Sequence, residues 1–267
     1  MIPAFRGSTA LLTGASRGIG AVLAPQLARA GIHLVLVARD AAKLQEVQSR
    51  CTPAGVRVRV LAADVSRAAD RHALVREAGE IDILINNAAI ETPLALADQT
   101  QDDVEAQIAT NLVAPIELTR LFLPGMLARA RGVIVNVSSM SGKVATPFNA
   151  IYAATKFGLN GFTASLRIEL AGSGVDAGSV CPTFVGESGM WADTGVRAPP
   201  LMREVSPDKV VRGVLAVMGG APQALVTPGP VRPLLALREL FPGIEGPALR
   251  RLGVLKAFKR RAAAVRR

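Results

Sequence analysis

Thr9-Ala10-Leu11-Leu12-Thr13-Gly14-Ala15-Ser16-Arg17-Gly18-Ile19-Gly20 is an apolar run that enters a glycine-rich turn and leaves it in a helical pattern. Glycines at 14, 18 and 20 let the backbone turn tightly and lie against a pyrophosphate. The free N–H groups and dipole of the following helix favour such an anion. Further strand-like runs occur at 32–38, 56–63, 81–86, 132–137, 176–181 and 224–227, and the first spans 8–13. Most are apolar throughout instead of alternating, and helical patterns separate them, which predicts a parallel sheet covered on both faces. Ligands of such sheets bind at the carboxyl ends of the strands. The glycine turn, Asn86-Asn87-Ala88-Ala89, Ser139 and Cys181-Pro182 all fall there. Pro25, inside the first helical pattern, lacks an N–H and predicts a kink or a loosened turn.

The fold class that follows is α/β, a Rossmann-type doubly wound parallel sheet of about seven strands with helices on both faces. Tyr152, the single tyrosine, opens Tyr152-Ala153-Ala154-Thr155-Lys156, thirteen positions after Ser139. On a helix, residues four apart share a face, so Lys156 can sit beside the phenol and favour its anion. That would bring the phenol from about 10 towards neutrality, where proton transfer to or from a carbonyl or alcohol is efficient. Ser138 competes for the serine role, but the spacing to Tyr152 selects Ser139. At the end of the second strand-like run a carboxylate would suit a ribose 2′-OH and an arginine a 2′-phosphate. Ala38 is followed there by Arg39, and Arg17 can approach the same phosphate, so the residues favour NADP(H) over NAD(H). Asp40 reads as the N-cap of a helix starting at Ala41.

The glycine turn, Asn86–Ala89, Asn111 and the Ser139/Tyr152/Lys156 set occur in an order and spacing that resembles the short-chain dehydrogenase/reductase family, from about residue 5 to about residue 227. The resemblance implies that Tyr152 is the general acid/base, Ser139 the group that holds the substrate oxygen, and Lys156 the partner of Tyr152 and of the nicotinamide ribose. Asn111 matches an asparagine that bends a helix and holds a water leading to Lys156. Gly14, Ser16, Arg17, Gly18, Ile19 and Gly20 would line the pyrophosphate. Asp64 and Val65 would contact the adenine, Asn87 would brace the strands beside the ribose, and Val185 would reach the carboxamide through its backbone. The chain departs from the family after the sixth strand, where Thr183 stands in place of a glycine and Glu187 in place of a hydroxyl, with Ser188 as a substitute. The activity implied is carbonyl/alcohol interconversion by hydride transfer. Met140, Phe148, Phe184, Met190 and Trp191, in a chain with 4% aromatics, suggest a lipophilic substrate. A non-catalytic NADP(H)-binding regulatory or membrane-tethered scaffold is the alternative. A lyase or epimerase using the same residues is a third reading.

Half of the 267 residues are hydrophobic and 19% are charged, which excludes a disordered chain. Cys51 and Cys181 have no metal-ligand spacing with His33 or His72 and no disulfide pattern, so no metal is expected and the compartment is read as reducing, hence cytoplasmic. No signal peptide and no apolar run long enough to span a membrane is read. The expected organisation is one catalytic domain over 1–229 and a helical extension over 230–267. The net charge of +10 is concentrated in that extension, with eight basic residues and no acid from Arg250 to Arg267. Leu249, Leu252, Leu255, Phe258, Ala262 and Val265 recur at helical spacing, giving a basic amphipathic helix suited to an anionic membrane surface, a neighbouring subunit or solvent. No nucleic-acid recognition motif accompanies the charge. The family resemblance implies a homodimer or homotetramer built through 103–129 and 150–171.

Overall fold

The computed structural model describes residues 5–187, 189–196, 198–199 and 203–265. Ser188, Arg266 and Arg267 lie outside the described residues. Seven strands form one sheet: β1 Thr9–Thr13, β2 His33–Ala38, β3 Val58–Ala62, β4 Ile83–Asn86, β5 Gly132–Val137, β6 Val175–Pro182 and β7 Gln223–Val226. The helices are α1 Gly18–Arg29, α2 Ala41–Cys51, α3 Ala68–Ala78, α4 Gln101–Ile108, α5 Ala114–Ala128, α6 Ala150–Glu169, α7 Pro207–Met218, α8 Arg232–Leu240, α9 Glu245–Arg251 and α10 Val254–Val265. The strand order is β3-β2-β1-β4-β5-β6-β7, every neighbouring pair parallel. The order reverses between β1 and β4, and a crevice opens at their carboxyl ends.

Continuous apolar strands suit this arrangement because both faces are covered. Ala10 and Leu12 of β1 point to the layer of α1, α2 and α7, with Leu23, Leu27, Leu44 and Val214. Leu11, between them, points to the layer of α3, α5 and α6, with Leu74, Leu118, Phe122 and Leu166. Each such fully buried leucine contributes about 1.5–3 kcal/mol relative to exposure. β3, at the sheet edge, is only partly buried.

Two local rules are decided by neighbours. α1 runs unbroken through Pro25. The proline leaves the carbonyl of Ala21 without its helical donor, and Arg50 of α2 supplies one, its Nη2 donating to that oxygen at 3.0 Å. Between α4 and α5, Ala109–Val113 forms a π-helical turn with the buried Asn111 at its centre. Such turns widen the helix ladder and recur at functional sites.

The basic stretch that follows α8 is two helices, because Gly253 adopts φ +74° between α9 and α10. The break changes which residues face inward. On α10 the buried positions are Val254, Ala257, Phe258, Arg261 and Ala262, while Leu255 is exposed. Of the stripe expected through Leu249, Leu252, Leu255, Phe258, Ala262 and Val265, Leu249, Leu252, Phe258 and Ala262 pack inward and Leu255 is corrected to the exposed side, while the side chain of Val265 lies outside the described residues. The apolar face of α10 packs on Phe184, Trp191 and Val196 of the same chain, so this face is covered and α10 does not present it to a lipid surface.

Candidate active site

The glycine turn sits where close approach leaves no room for side chains. A Cβ on Gly20 would lie 2.2 Å from the carbonyl oxygen of Gly14, and one on Gly14 would lie 2.8 Å from Cα of Ala88. Asn87 ties the turn to the end of β4, its Nδ2 donating to the carbonyls of Thr13 at 3.0 Å and Gly14 at 3.1 Å. Thr13 Oγ1 accepts in return from the backbone N–H groups of Asn87 and Ala88, both at 3.0 Å. α1 then starts with no side-chain cap and no acidic residue in its first turn. Its leading N–H groups and positive dipole end are thus not spent on a cap, the arrangement an anion requires.

Gly14, Ser16, Arg17, Gly18, Ile19, Arg39, Asp64, Val65, Asn87, Tyr152, Lys156 and Val185 line one cavity of about 430 Å³. Gly20 lies behind them in the turn. Arg17 is bound to Asp193 at 2.5 Å, both largely exposed, so an incoming phosphate would have to compete for it. Asp40 caps α2, accepting from the N–H of Lys43 at 3.1 Å, and that bond holds its carboxyl below the usual range. Its carboxylate is engaged in the helix cap, and both Asp40 and Arg39 border the cavity. Burial pushes the Asp64 carboxyl up, but bonds from Ser66 and the charges of Arg39 and Arg67 outweigh it and hold it low. Val185 is buried and bridges Val205. Glu187 adopts φ +65°, a conformation costly for a side-chain-bearing residue.

The candidate proton-handling side chains follow β5 and lie on α6. Ser139 follows β5 and its Oγ accepts from the N–H of Ser141 at 3.0 Å. Both serines border the cavity, but Ser138 donates to the carbonyl of Lys156 at 3.2 Å, whereas the hydrogen bond that acts on the Tyr152 phenol is that of Ser139. Tyr152 and Lys156 share a face of α6, with Nζ 5.5 Å from the ring centroid, and Nζ donates to the carbonyl of Val137 at 2.9 Å. Asn111 binds both backbone groups of Ile90, each at 2.8 Å, and donates to Thr155 Oγ1 at 3.3 Å, which ties the π turn to α6.

The phenol differs from the sequence reading. Burial pushes Tyr152 well above the ordinary tyrosine range and the Glu91 carboxylate adds to this, against smaller opposing effects of the Ser139 hydrogen bond and the Arg261 charge. Lys156 does not bring it towards neutrality, because the amine is itself buried and is pushed down to about 8. Folding therefore favours the neutral amine. The cost of holding an ammonium is full below pH about 8 and fades as pH rises towards the ordinary value of 10.5. Lys156→Met should accordingly gain stability relative to the unsubstituted chain below pH about 8, by up to about 3 kcal/mol, and lose that relative gain by pH about 10. Urea midpoints of both chains across this range test it; a pH-independent difference would rule it out.

Sequence reasoning missed the groups that close the other end of the cavity. Glu91, after β4, and Arg261, on α10, form an ion pair with side chains only 7% and 3% exposed. Arg261 Nη2 donates to Glu91 Oε2 at 2.7 Å and to the carbonyl of Met190 at 3.0 Å, and Nη1 donates to Glu91 Oε1. Asn149 also donates to Glu91. The guanidinium lies 5.1 Å from the Trp191 ring, which packs with Phe184 and Phe258. Met140, Phe184, Met190, Trp191, Leu249, Val254 and Phe258 supply the apolar wall, and Phe148 packs behind it. The available signal was Arg261 itself, a charge on the buried stripe once the helix is phased from Val254.

Known proteins with this arrangement are numerous. A family model described as short chain dehydrogenase matches residues 8–197. A ketoacyl reductase, HetN, from Nostoc sp. strain PCC 7120 is 36% identical over 266 aligned positions, covering 96% of this chain and 93% of the relative. A short-chain dehydrogenase from Sphingobium yanoikuyae, solved in complex with NADPH, superposes with a TM-score of 0.79 at 31% identity over 89% of this chain and 94% of that one. A 3-oxoacyl (acyl-carrier-protein) reductase from Agrobacterium tumefaciens C58, solved with NADP bound, gives 0.78 at 30% identity over 86% and 96%. With its all-parallel sheet and the family's motifs gathered at one strand-end crevice, this chain belongs to the short-chain dehydrogenase/reductase family of oxidoreductases.

Proposed function

We propose that the protein is an NADP(H)-dependent reductase of a lipophilic carbonyl compound, with 3-oxoacyl esters and thioesters as the first class to examine. One observation carries this reading: a single cavity joins the glycine turn to an apolar wall, with Ser139, Tyr152 and Lys156 between them. The ketoacyl and 3-oxoacyl reductases among the relatives support the substrate class, and the NADP(H) in the solved relatives supports the cofactor. The crevice fits a dinucleotide, since its glycines leave space no Cβ could share and the N-terminus of α1 is uncapped.

Gly14, Ser16, Gly18, Ile19 and Gly20 would hold the pyrophosphate, Arg17 and Arg39 a 2′-phosphate, Asp64 and Val65 the adenine, Asn87 and Lys156 the ribose side, and Val185 the carboxamide. The bound cofactor supplies the hydride. Tyr152, kept protonated by burial, donates its proton to the substrate oxygen. Ser139 holds that oxygen and stabilises its developing charge. Asn111 keeps α6 in register with the loop after β4.

Arg39→Ala should raise KM for NADPH about 10-fold or more, the loss expected for one charge-assisted bond, and leave NADH kinetics within about twofold. The reading as a whole is tested by following absorbance of NADPH and NADH with 3-oxoacyl esters, long-chain ketones and short aldehydes. NADPH-preferring turnover supports it. Tight NADPH binding with no turnover of any carbonyl favours the non-catalytic scaffold.

The surface supports two contacts. Ile108, Val113, Leu127, Phe157 and Ile168, exposed on or beside α4–α6, support a homo-oligomer through these helices. Leu234, Leu237, Leu240, Phe241 and Ile244 are exposed at helical spacing along α8 and its continuation, with exposed Arg250, Arg251, Lys256, Lys259 and Arg260 following in the chain. This segment, rather than the apolar face of α10, is the part suited to an anionic lipid surface.

A further inference from the structure

Arg261 has more hydrogen-bonding capacity than its structural role uses. A guanidinium carries five N–H donors. Three of the four on Nη1 and Nη2 serve Glu91 and the carbonyl of Met190. Nε is buried and has no hydrogen-bond partner among the described residues, and the same is true of Oδ1 of Asn149, which shares Glu91 with it. An unpaired buried donor costs about 1–3 kcal/mol, so its retention needs a reason.

Stability alone does not supply one. A buried ion pair is often no better than well-packed apolar residues of similar size, and Phe184, Trp191, Val254 and Phe258 already close this wall with such residues. Arg261 nevertheless borders the cavity, and its charge and that of Glu91 both act on the Tyr152 phenol. Nε itself is buried in that wall, so a substrate oxygen reaches it only by displacing the side chains that cover it, and the donor would then fix the orientation of that oxygen.

We propose that Arg261 determines substrate specificity by donating from Nε to a second oxygen of the substrate, such as the acyl carbonyl of a 3-oxoacyl group, while Glu91 and Asn149 hold the guanidinium in place. This rests on the reductase reading above. The C-terminal helix is then part of the substrate site: it favours carbonyl compounds carrying a second acceptor over plain ketones of equal length.

The test is the ratio of kcat/KM for ethyl 3-oxohexanoate to that for 2-octanone, with NADPH and the full chain. Arg261→Lys keeps the charge opposite Glu91 and has no Nε donor. The double substitution Glu91→Gln/Arg261→Met removes both charges together and guards against a fold weakened by one unpaired charge. Both should lower the ratio about 10–100-fold, the worth of a hydrogen bond from a charged donor. A ratio within about threefold of the unsubstituted value in both variants, whatever the change in absolute rate, overturns the assignment and leaves Arg261 a structural tie for α10. No turnover of either compound by the unsubstituted chain, with NADPH binding intact, defeats the reductase reading and this proposal together.

Discussion

Tyr152→Phe should lower kcat for carbonyl reduction by about 100-fold to 10,000-fold while NADPH binds within about twofold of its original affinity. The substitution removes one hydroxyl and keeps the ring, which is 7% exposed and 5.5 Å from Lys156 Nζ, so packing and the cation–ring contact persist. What disappears is the proton donor bonded to Ser139. The phenol is also costly to bury in its ionised form, so the variant should be at least as stable as the parent at alkaline pH. Trp191, the single tryptophan, lines the cavity and offers an intrinsic fluorescence signal for cofactor binding. Unchanged kcat beside unchanged binding would remove Tyr152 from the mechanism.

The second large effect is expected at Gly20. A methyl group there would meet Gly14 O at 2.2 Å and both Cα of Ala15 and Nδ2 of Asn87 at 2.9 Å. The nearest two atoms are backbone and cannot swing aside, so the turn must open and the bonds from Asn87 to Thr13 and Gly14 must stretch. Overpacking of this kind costs about 1–3 kcal/mol, and each lost bond adds about 1 kcal/mol. Gly20→Ala should therefore lower Tm by roughly 5–15 °C and weaken NADPH binding about 100-fold or more, since the displaced atoms form the phosphate crevice. Gly161, in the middle of α6 with nothing within 4 Å of a built Cβ, is the internal comparison. There the same substitution should raise stability by about 0.5–1 kcal/mol. Equal behaviour of the two variants would contradict the packing argument.

Features carried by neighbours in the chain were legible before the structure. All seven strands appear within two residues or so of the expected runs, because strands covered on both faces must be apolar at successive positions. The Asp40 cap, the shared face of Tyr152 and Lys156, and the tight turn at Gly14–Gly20 likewise follow from local geometry. The sheet order is visible only once the strands pair.

Four features needed the folded chain. Pro25 is tolerated because Arg50, on another helix, serves the carbonyl it strands. The phenol of Tyr152 is governed by its burial and by Glu91, not by the lysine four residues along. The tail helix is rephased at Gly253, which turns Arg261 inward, where it meets Glu91 across 170 residues of chain. The apolar stripe left open to solvent lies on α8 instead of α10. Periodicity and spacing determined the fold class and the shared face of Tyr152 and Lys156, since these depend on interactions within a turn or two. Burial, charge pairing and the closing of the substrate pocket were decided by tertiary structure alone, since their energies depend on which distant groups share a space that water has left.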